Sequence, residues 1–214
     1  MNTMYGALGP ERTVRDEEAY EAMSKTVKDM TTIYFVRHAE SLVSHRDDRT
    51  RPLTEDAMKD RSIVLETLMD KRIDAFLCSP YKRSIDTISP AAEHFGMEIK
   101  TDERFRERRS GLNPREHCAG RWADFSFAEE GGECLSSVQE RNMEALRDVL
   151  REYRGKTVVI GTHGTALSTM INYYDKSFGY DSFMKIVRWL PFIVEMRFDR
   201  EEFLGYEIIC HVQK

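Results

Sequence analysis

The chain has 214 residues, enough for one domain with a buried core and an appendage. Charged residues make up 32% and hydrophobic residues 41%, which excludes a disordered chain, and a net charge of -5 gives no general reason to expect a nucleic-acid partner. No apolar run approaches transmembrane length and no secretory h-region follows the first Met, so no membrane partner and a cytoplasmic location are expected.

Residues 1–30 stand apart. Met1 to Pro10 is small and Gly-containing, and Glu11 to Met30 spaces Tyr20, Met23, Val27 and Met30 along one helical face. This predicts an N-terminal extension with a helix that packs on the domain or on a second copy, which leaves a homodimer open. The domain proper is expected over 31–214. Thr31 to Val36 is rich in β-branched and aromatic residues and reads as a buried strand. Thr54 to Met69 has helical periodicity, with Thr54 as N-cap. Ile73 to Cys78 is a second strand. Ser79-Pro80 then reads as a helix start, with Ser79 as cap and Pro80 in the first turn. That helix either runs on past Ile85 or resumes after Pro90, and Gly96 stops it. Glu98 to Lys100 is a short strand. Residues 102–132 are irregular and rich in Arg and Gly. Glu133 to Tyr153 is a long helix, Thr157 to Ile160 a buried strand and Thr165 to Tyr174 a helix. Phe192 to Phe198 and Tyr206 to Cys210 are strands paired across an Asp199–Gly205 turn. Strands alternating with helices predict a layered α/β domain with a mainly parallel sheet.

In open α/β sheets, sites form beyond the carboxyl ends of the strands. Arg37-His38 follows the first strand, Arg83 lies just beyond the second, and Gly161-Thr162-His163-Gly164 follows the strand at 157–160. Two histidines and two arginines are therefore delivered to one rim. Arginine forks match a phosphomonoester dianion, and a neutral imidazole can attack phosphorus. Gly161 and Gly164 are expected to let backbone approach a phosphate closely, and the helix start at Ser79 to add a favourable dipole. The four cysteines, Cys78, Cys118, Cys134 and Cys210, include no C-x-x-C pair, which argues against a zinc ribbon or a thioredoxin motif; Cys78 is expected to be a buried thiol.

Arg37-His38-Ala39-Glu40-Ser41 resembles the R-H-G-E-[ST] signature of the histidine phosphatase (phosphoglycerate mutase-like) superfamily. Pro52-Leu53-Thr54, the run Ser79 to Thr87 with Arg83, Arg104 to Glu107 with Gly111, Gly131-Gly132-Glu133-Cys134 and Thr162-His163-Gly164 resemble its further elements in order. The resemblance implies a three-layer sandwich around a mainly parallel sheet. It implies a phosphomonoester hydrolase with no metal and no cofactor, acting on a small-molecule phosphomonoester through a phosphohistidine. It casts His38 as nucleophile, Arg37, Arg83, His163 and Gly164 as phosphate-binding, and Glu107 as general acid and base. Glu103 is the runner-up for the acid. Two departures stand out: Ala39 replaces a Gly and is expected to narrow the pocket if its backbone is unusual, and Ser44 stands where an Asn phosphate donor is common and is expected to bind phosphate through a weaker contact.

His45 and His117 lie in segments that could edge the pocket, whereas His94 and His211 have no motif support. Trp122, Phe125 and Phe127 fit a lid or a core equally. Part of the set Arg46, Arg49, Arg51, Arg106, Arg108, Arg109, Arg115 and Arg121 is expected to face the pocket and favour a polyanionic substrate, against surface pairing with acids. The short connection from Glu107 to His163 resembles that of phosphatases; a mutase and a non-catalytic phospholigand-binding module are the alternatives.

Overall fold

The computed structural model describes residues 30–214. The N-terminal helix expected over 11–30, and with it the surface proposed for a second copy, lies outside the described residues apart from Met30. In chain order the elements are β1 (Met30–Arg37), α1 (Glu55–Leu68), β2 (Ala75–Cys78), α2 (Lys82–His94), β3 (Ile99–Thr101), α3 (Cys118–Ala123), α4 (Leu135–Glu152), β4 (Thr157–Thr162), α5 (Gly164–Tyr174), α6 (Tyr180–Ile186), β5 (Trp189–Asp199) and β6 (Glu202–Gln213). A short 3-10 turn spans Glu103–Phe105.

The six strands form one sheet in the order β3-β2-β4-β1-β5-β6. The run β3-β2-β4-β1 is parallel, and β5 and β6 add an antiparallel edge. Side chains alternate across the pleat. Ile33, Phe35, Val158 and Ile160 point to one face and pack with Leu146 and Val149 of α4 and Leu167 and Met170 of α5. Tyr34, Val36, Phe76 and Val159 point to the other and meet Val64 and Leu68 of α1 and Ile88 of α2. Both faces are covered, which is why β1, β2 and β4 read as continuous apolar runs. This is the expected three-layer α/β sandwich.

Several local expectations need correction. Helix α2 does not begin at Ser79-Pro80. Its N-cap is Tyr81, and Ser79 Oγ accepts from the Tyr81 N–H (3.3 Å) just ahead of the helix while also pairing with His163 (2.7 Å). The helix then continues through Pro90 without a break. Proline removes the hydrogen bond to the carbonyl four residues back, and that carbonyl, Asp86 O, accepts instead from Arg61 Nη1 of α1 (3.2 Å). The last hairpin is also tighter than an Asp199–Gly205 turn. Strands β5 and β6 pair as far as Asp199 and Glu202, and the reversal is made by Arg200 (φ 56°) and Glu201.

Candidate active site

Parallel pairing of β1 with β4 puts Arg37 opposite Thr162. The His38 N–H donates to the Thr162 carbonyl (3.2 Å), so His38 and His163 leave neighbouring strands at the same level. Their rings lie 5.3 Å apart, edge to face. At the end of β2, the Ser79 N–H donates to the Gly161 carbonyl (2.9 Å), which brings the start of α2 and Arg83 to the same place.

The His38 ring has its tautomer set by its partners. Nδ1 faces the Ala39 carbonyl at 2.6 Å, and a carbonyl only accepts, so Nδ1 carries the proton. Arg83 Nε donates to His38 Nε2 (3.1 Å), so Nε2 presents a lone pair. Burial, followed by the charges of Arg83 and Arg37, pushes His38 well below the usual imidazole range. Burial, followed by Arg83, does the same to His163. Both rings are neutral at pH 7. His163 is fully buried, and its Nε2 pairs with Ser79 while its Nδ1 has no partner.

The two arginines are held differently. Arg37 donates from Nη1 to the Ile186 carbonyl (2.7 Å) and from Nη2 to the Val187 carbonyl (3.1 Å). Burial presses it down to about 10, so it stays cationic at neutral pH. Arg83 is fully buried and lies 5.0 Å over the Tyr81 ring. Its Nη1 donates to the Asp48 carbonyl (2.6 Å), and the Asp48 carboxylate stands 3.3 Å from the same nitrogen. Asp48 also pairs with Arg51 (2.7 Å).

Glu107 reaches the rim from the segment before α3. Its carboxylate accepts from the N–H groups of Thr165 (3.1 Å) and Ala166 (3.2 Å), in the first turn of α5, and from that of Arg108 (2.8 Å). These are the unpaired donors of a helix start. The backbone that carries Glu107 is clamped by Arg141, which donates to the carbonyls of Arg104 (2.6 Å), Arg106 (2.7 Å) and Glu107 (3.2 Å). Glu103, by contrast, is exposed and paired with Arg49.

A cavity of about 380 Å³ opens over this group, with Arg37, His38, Ser41, Arg51, Thr54, Arg83 and Glu107 on its wall. A second one of about 750 Å³ adjoins it, sharing Arg51 and Glu107. His163 lies behind His38, away from the cavity wall. Ser44 is exposed and off that wall as well, since a Ser41–Leu53 bridge and the Leu42 N–H to Pro52 carbonyl bond (2.9 Å) pin the loop's entry and leave Ser44 on its outer turn. Leu42 and Val43 line the cavity instead. Ala39 does not narrow the pocket. Its φ is not positive, and it is buried with Leu53 and Ala57.

The glycines serve side chains and not a phosphate. A Cβ on Gly164 would stand 3.0 Å from the Arg37 guanidinium, and one on Gly161 would stand 2.5 Å from Cys78 Sγ. Cys78 is the buried thiol expected, with burial pushing it up to about 12. Trp122 packs against the core beside Phe125 and Phe183. His45 is exposed and bonded to Thr50, and His211 stacks on Trp189; neither lines either of these two cavities, nor do His117 and His94. Among the described residues no three His, Cys, Asp or Glu side chains group as metal ligands would. Tyr81 under Arg83, the pairing of Ser79 with His163, and Asp48 escaped the sequence reading. Only Ser79 carried a signal, as the first residue of its motif.

Comparison with known proteins agrees with this geometry. The model of the histidine phosphatase superfamily (branch 1) matches residues 33–186, which spans every rim residue named above. The chain belongs to the histidine phosphatase superfamily. Among relatives of this histidine phosphatase fold is phosphoserine phosphatase 1 of Hydrogenobacter thermophilus, 27% identical over 159 residues that make up 66% of this chain and 74% of that protein. Bacillus stearothermophilus YhfR superposes with a TM-score of 0.66 at 25% identity, covering 81% of this chain and 94% of that one. A mycobacterial glucosyl-3-phosphoglycerate phosphatase superposes with a TM-score of 0.68 at 16% identity, covering 84% and 97%.

Proposed function

We propose that this protein hydrolyses phosphomonoesters through a phosphohistidine at His38, without a metal. The observation that carries the reading is the His38 ring. It is neutral, its Nδ1 proton is fixed on the Ala39 carbonyl, and its Nε2 lone pair lies beside a buried arginine.

Nε2 attacks phosphorus, and the bond to the leaving oxygen breaks. Glu107 gives that oxygen a proton as the alcohol departs. The positive charge gained by the imidazole is met by the short Nδ1–H bond to Ala39. Arg83 and Arg37 offset charge on the phosphoryl oxygens, and His163, buried off the cavity wall, packs edge to face against His38. Water then attacks phosphorus while Glu107 takes its proton, and His38 is released neutral with inorganic phosphate. Hydrolysis is favoured over mutase chemistry because the connection from Glu107 to His163 is short, as in the phosphatases this chain resembles.

The test is an aryl phosphate incubated with the wild type, with and without EDTA, beside His38→Ala. Phosphate release is expected to survive EDTA and to fall by at least about a thousandfold in the variant, with acid-labile phosphate trapped on the wild type alone. Loss of activity in EDTA, or full activity in His38→Ala, would refute the reading. Phosphate exchanged between substrate positions without release would convert it to a mutase.

A further inference from the structure

The larger cavity contains cations that nothing in the fold uses. Arg108 and Arg121 on its wall both pair with the buried Glu129, each at 2.7 Å, and so are structural. Arg115 and Arg188, on the same wall, are exposed and have no ion-pair partner among the described residues. Neither is a loose surface residue. Arg188 follows directly on Ile186 and Val187, whose carbonyls hold the guanidinium of Arg37, and its own carbonyl accepts from the Lys214 N–H (2.9 Å). Arg115 sits between Pro114, whose carbonyl accepts from Arg121 (2.8 Å), and the turn where the Cys118 N–H donates to the Arg115 carbonyl (3.3 Å). The same wall carries the apolar Phe183 and Met184 of α6 and the polar Asp48, Ser110 and Thr165.

We propose that Arg115 and Arg188 form a second anion subsite, so that the substrate is a phosphomonoester whose leaving group carries its own negative charge. The inference rests on the phosphatase reading. The transferred phosphoryl group occupies the cavity at His38, and the leaving group extends past Glu107 over Phe183 and Met184 to the two arginines. A volume of about 750 Å³ suits a leaving group larger than a three-carbon chain. Glu107 at the junction is then placed against the ester oxygen, where its proton is needed. A carboxylate and a second phosphate are both served by an arginine fork.

The test compares phenyl phosphate with para-carboxyphenyl and para-carboxyethylphenyl phosphates, whose carboxylates reach to two depths. It uses the wild type, Arg115→Gln, Arg188→Gln, the double variant and Lys59→Gln, an exposed charge on α1 far from both cavities. The wild type is expected to prefer at least one carboxylated substrate through a lower KM. The double variant is expected to raise that KM roughly tenfold, and the single variants roughly threefold, with kcat and the phenyl phosphate parameters within twofold. Lys59→Gln should change neither. No wild-type preference, or an equal loss for charged and uncharged substrates, overturns the subsite while leaving the phosphatase reading intact. If the wild type turns over none of the three, the phosphatase reading itself fails. Unchanged phenyl phosphate kinetics in the variants serves as the control for folding.

Discussion

Arginine meets two kinds of surroundings in this protein. In the segment 104–141, cations meet carboxylates: the buried Arg108 and Arg121 share Glu129, and the partly buried Arg106 and Arg141 share Glu133. At the rim, Arg37 is buried yet donates only to carbonyls, and Arg83 meets one carbonyl and a carboxylate that is itself half exposed. Burying a cation without a tight counter-ion is costly. A fold that gives its cations buried carboxylates in one region, and carbonyls with a half-exposed carboxylate in another, has left room for an anion from outside. The first region supports the proposed site, and the second is where that site is proposed.

The comparison breaks most sharply at Glu129. Burial pushes its carboxyl up, but the hydrogen bonds from Arg108 and the Gly111 N–H bring it down to about 2. Glu129→Gln leaves two buried guanidinium groups without a counter-ion and should cost about 3–5 kcal/mol of stability, read by urea unfolding. Activity toward a small aryl phosphate, measured on the folded fraction, should stay within a fewfold. A stability loss under about 1 kcal/mol would mean that the two regions do not differ as described.

Arg83→Gln is the converse change. It removes a donor from the phosphoryl group and from His38 Nε2, but no carboxylate is left buried, because Asp48 can turn to Arg51 and to water. The rate of phosphohistidine formation should fall by about a hundred- to a thousandfold in rapid-quench measurements, with little loss of stability. A large stability loss with an intact rate would assign Arg83 to the structural set.

The same division explains what the sequence disclosed. The rim was legible because it depends on short-range facts. A buried strand ends, a histidine follows, and the one-to-one register of β1 with β4 aligns Arg37 with Thr162. The layers were legible from alternating apolar runs. What escaped depends on partners far along the chain. Whether α2 survives Pro90 is decided by Arg61, which takes the freed Asp86 carbonyl. The partner of Ser79, His163, lies 84 residues further along the chain. Which loop arginines are committed is decided by Glu129 and Glu133, and sequence spacing does not say which acids fold back onto them. Ser44 failed for a related reason: the Ser41–Leu53 bridge turns the loop before Ser44 can face inward.

The rim's two neutral histidines give a pH signature. Both have depressed folded-state values, so the unfolded chain takes up their protons first as pH falls. Their contribution to stability is complete above about pH 6.5 and is lost below it, until the folded rings protonate. Each histidine should cost about 1.4 kcal/mol in total between pH 7.5 and 5.5, and the slope steepens toward about 1.4 kcal/mol per pH unit only well below pH 6.5. Urea unfolding between pH 7.5 and 5.5 reads it, above the range where Glu129 and Glu133, both brought to about 2 by their arginines against burial, come into play. His163→Gln should remove roughly half the slope. A flat profile would mean that the histidines are not held neutral.

The smallest effect falls on Asp48, the carboxylate beside Arg83. Asp48 holds Arg83 through its backbone carbonyl at 2.6 Å, and through its side chain only at 3.3–3.5 Å. Asp48→Asn keeps the carbonyl and removes the charge. A phosphate dianion approaching Arg83 and Arg51 then has one fewer anion to displace, and that anion is half solvated, so its screening is strong. Inhibition by inorganic phosphate should tighten about threefold, and the gain should shrink with added salt. If phosphate binding weakens instead, Asp48 serves mainly to aim the Arg83 fork, and the rim follows the same rule of matched charge as the segment around Glu129.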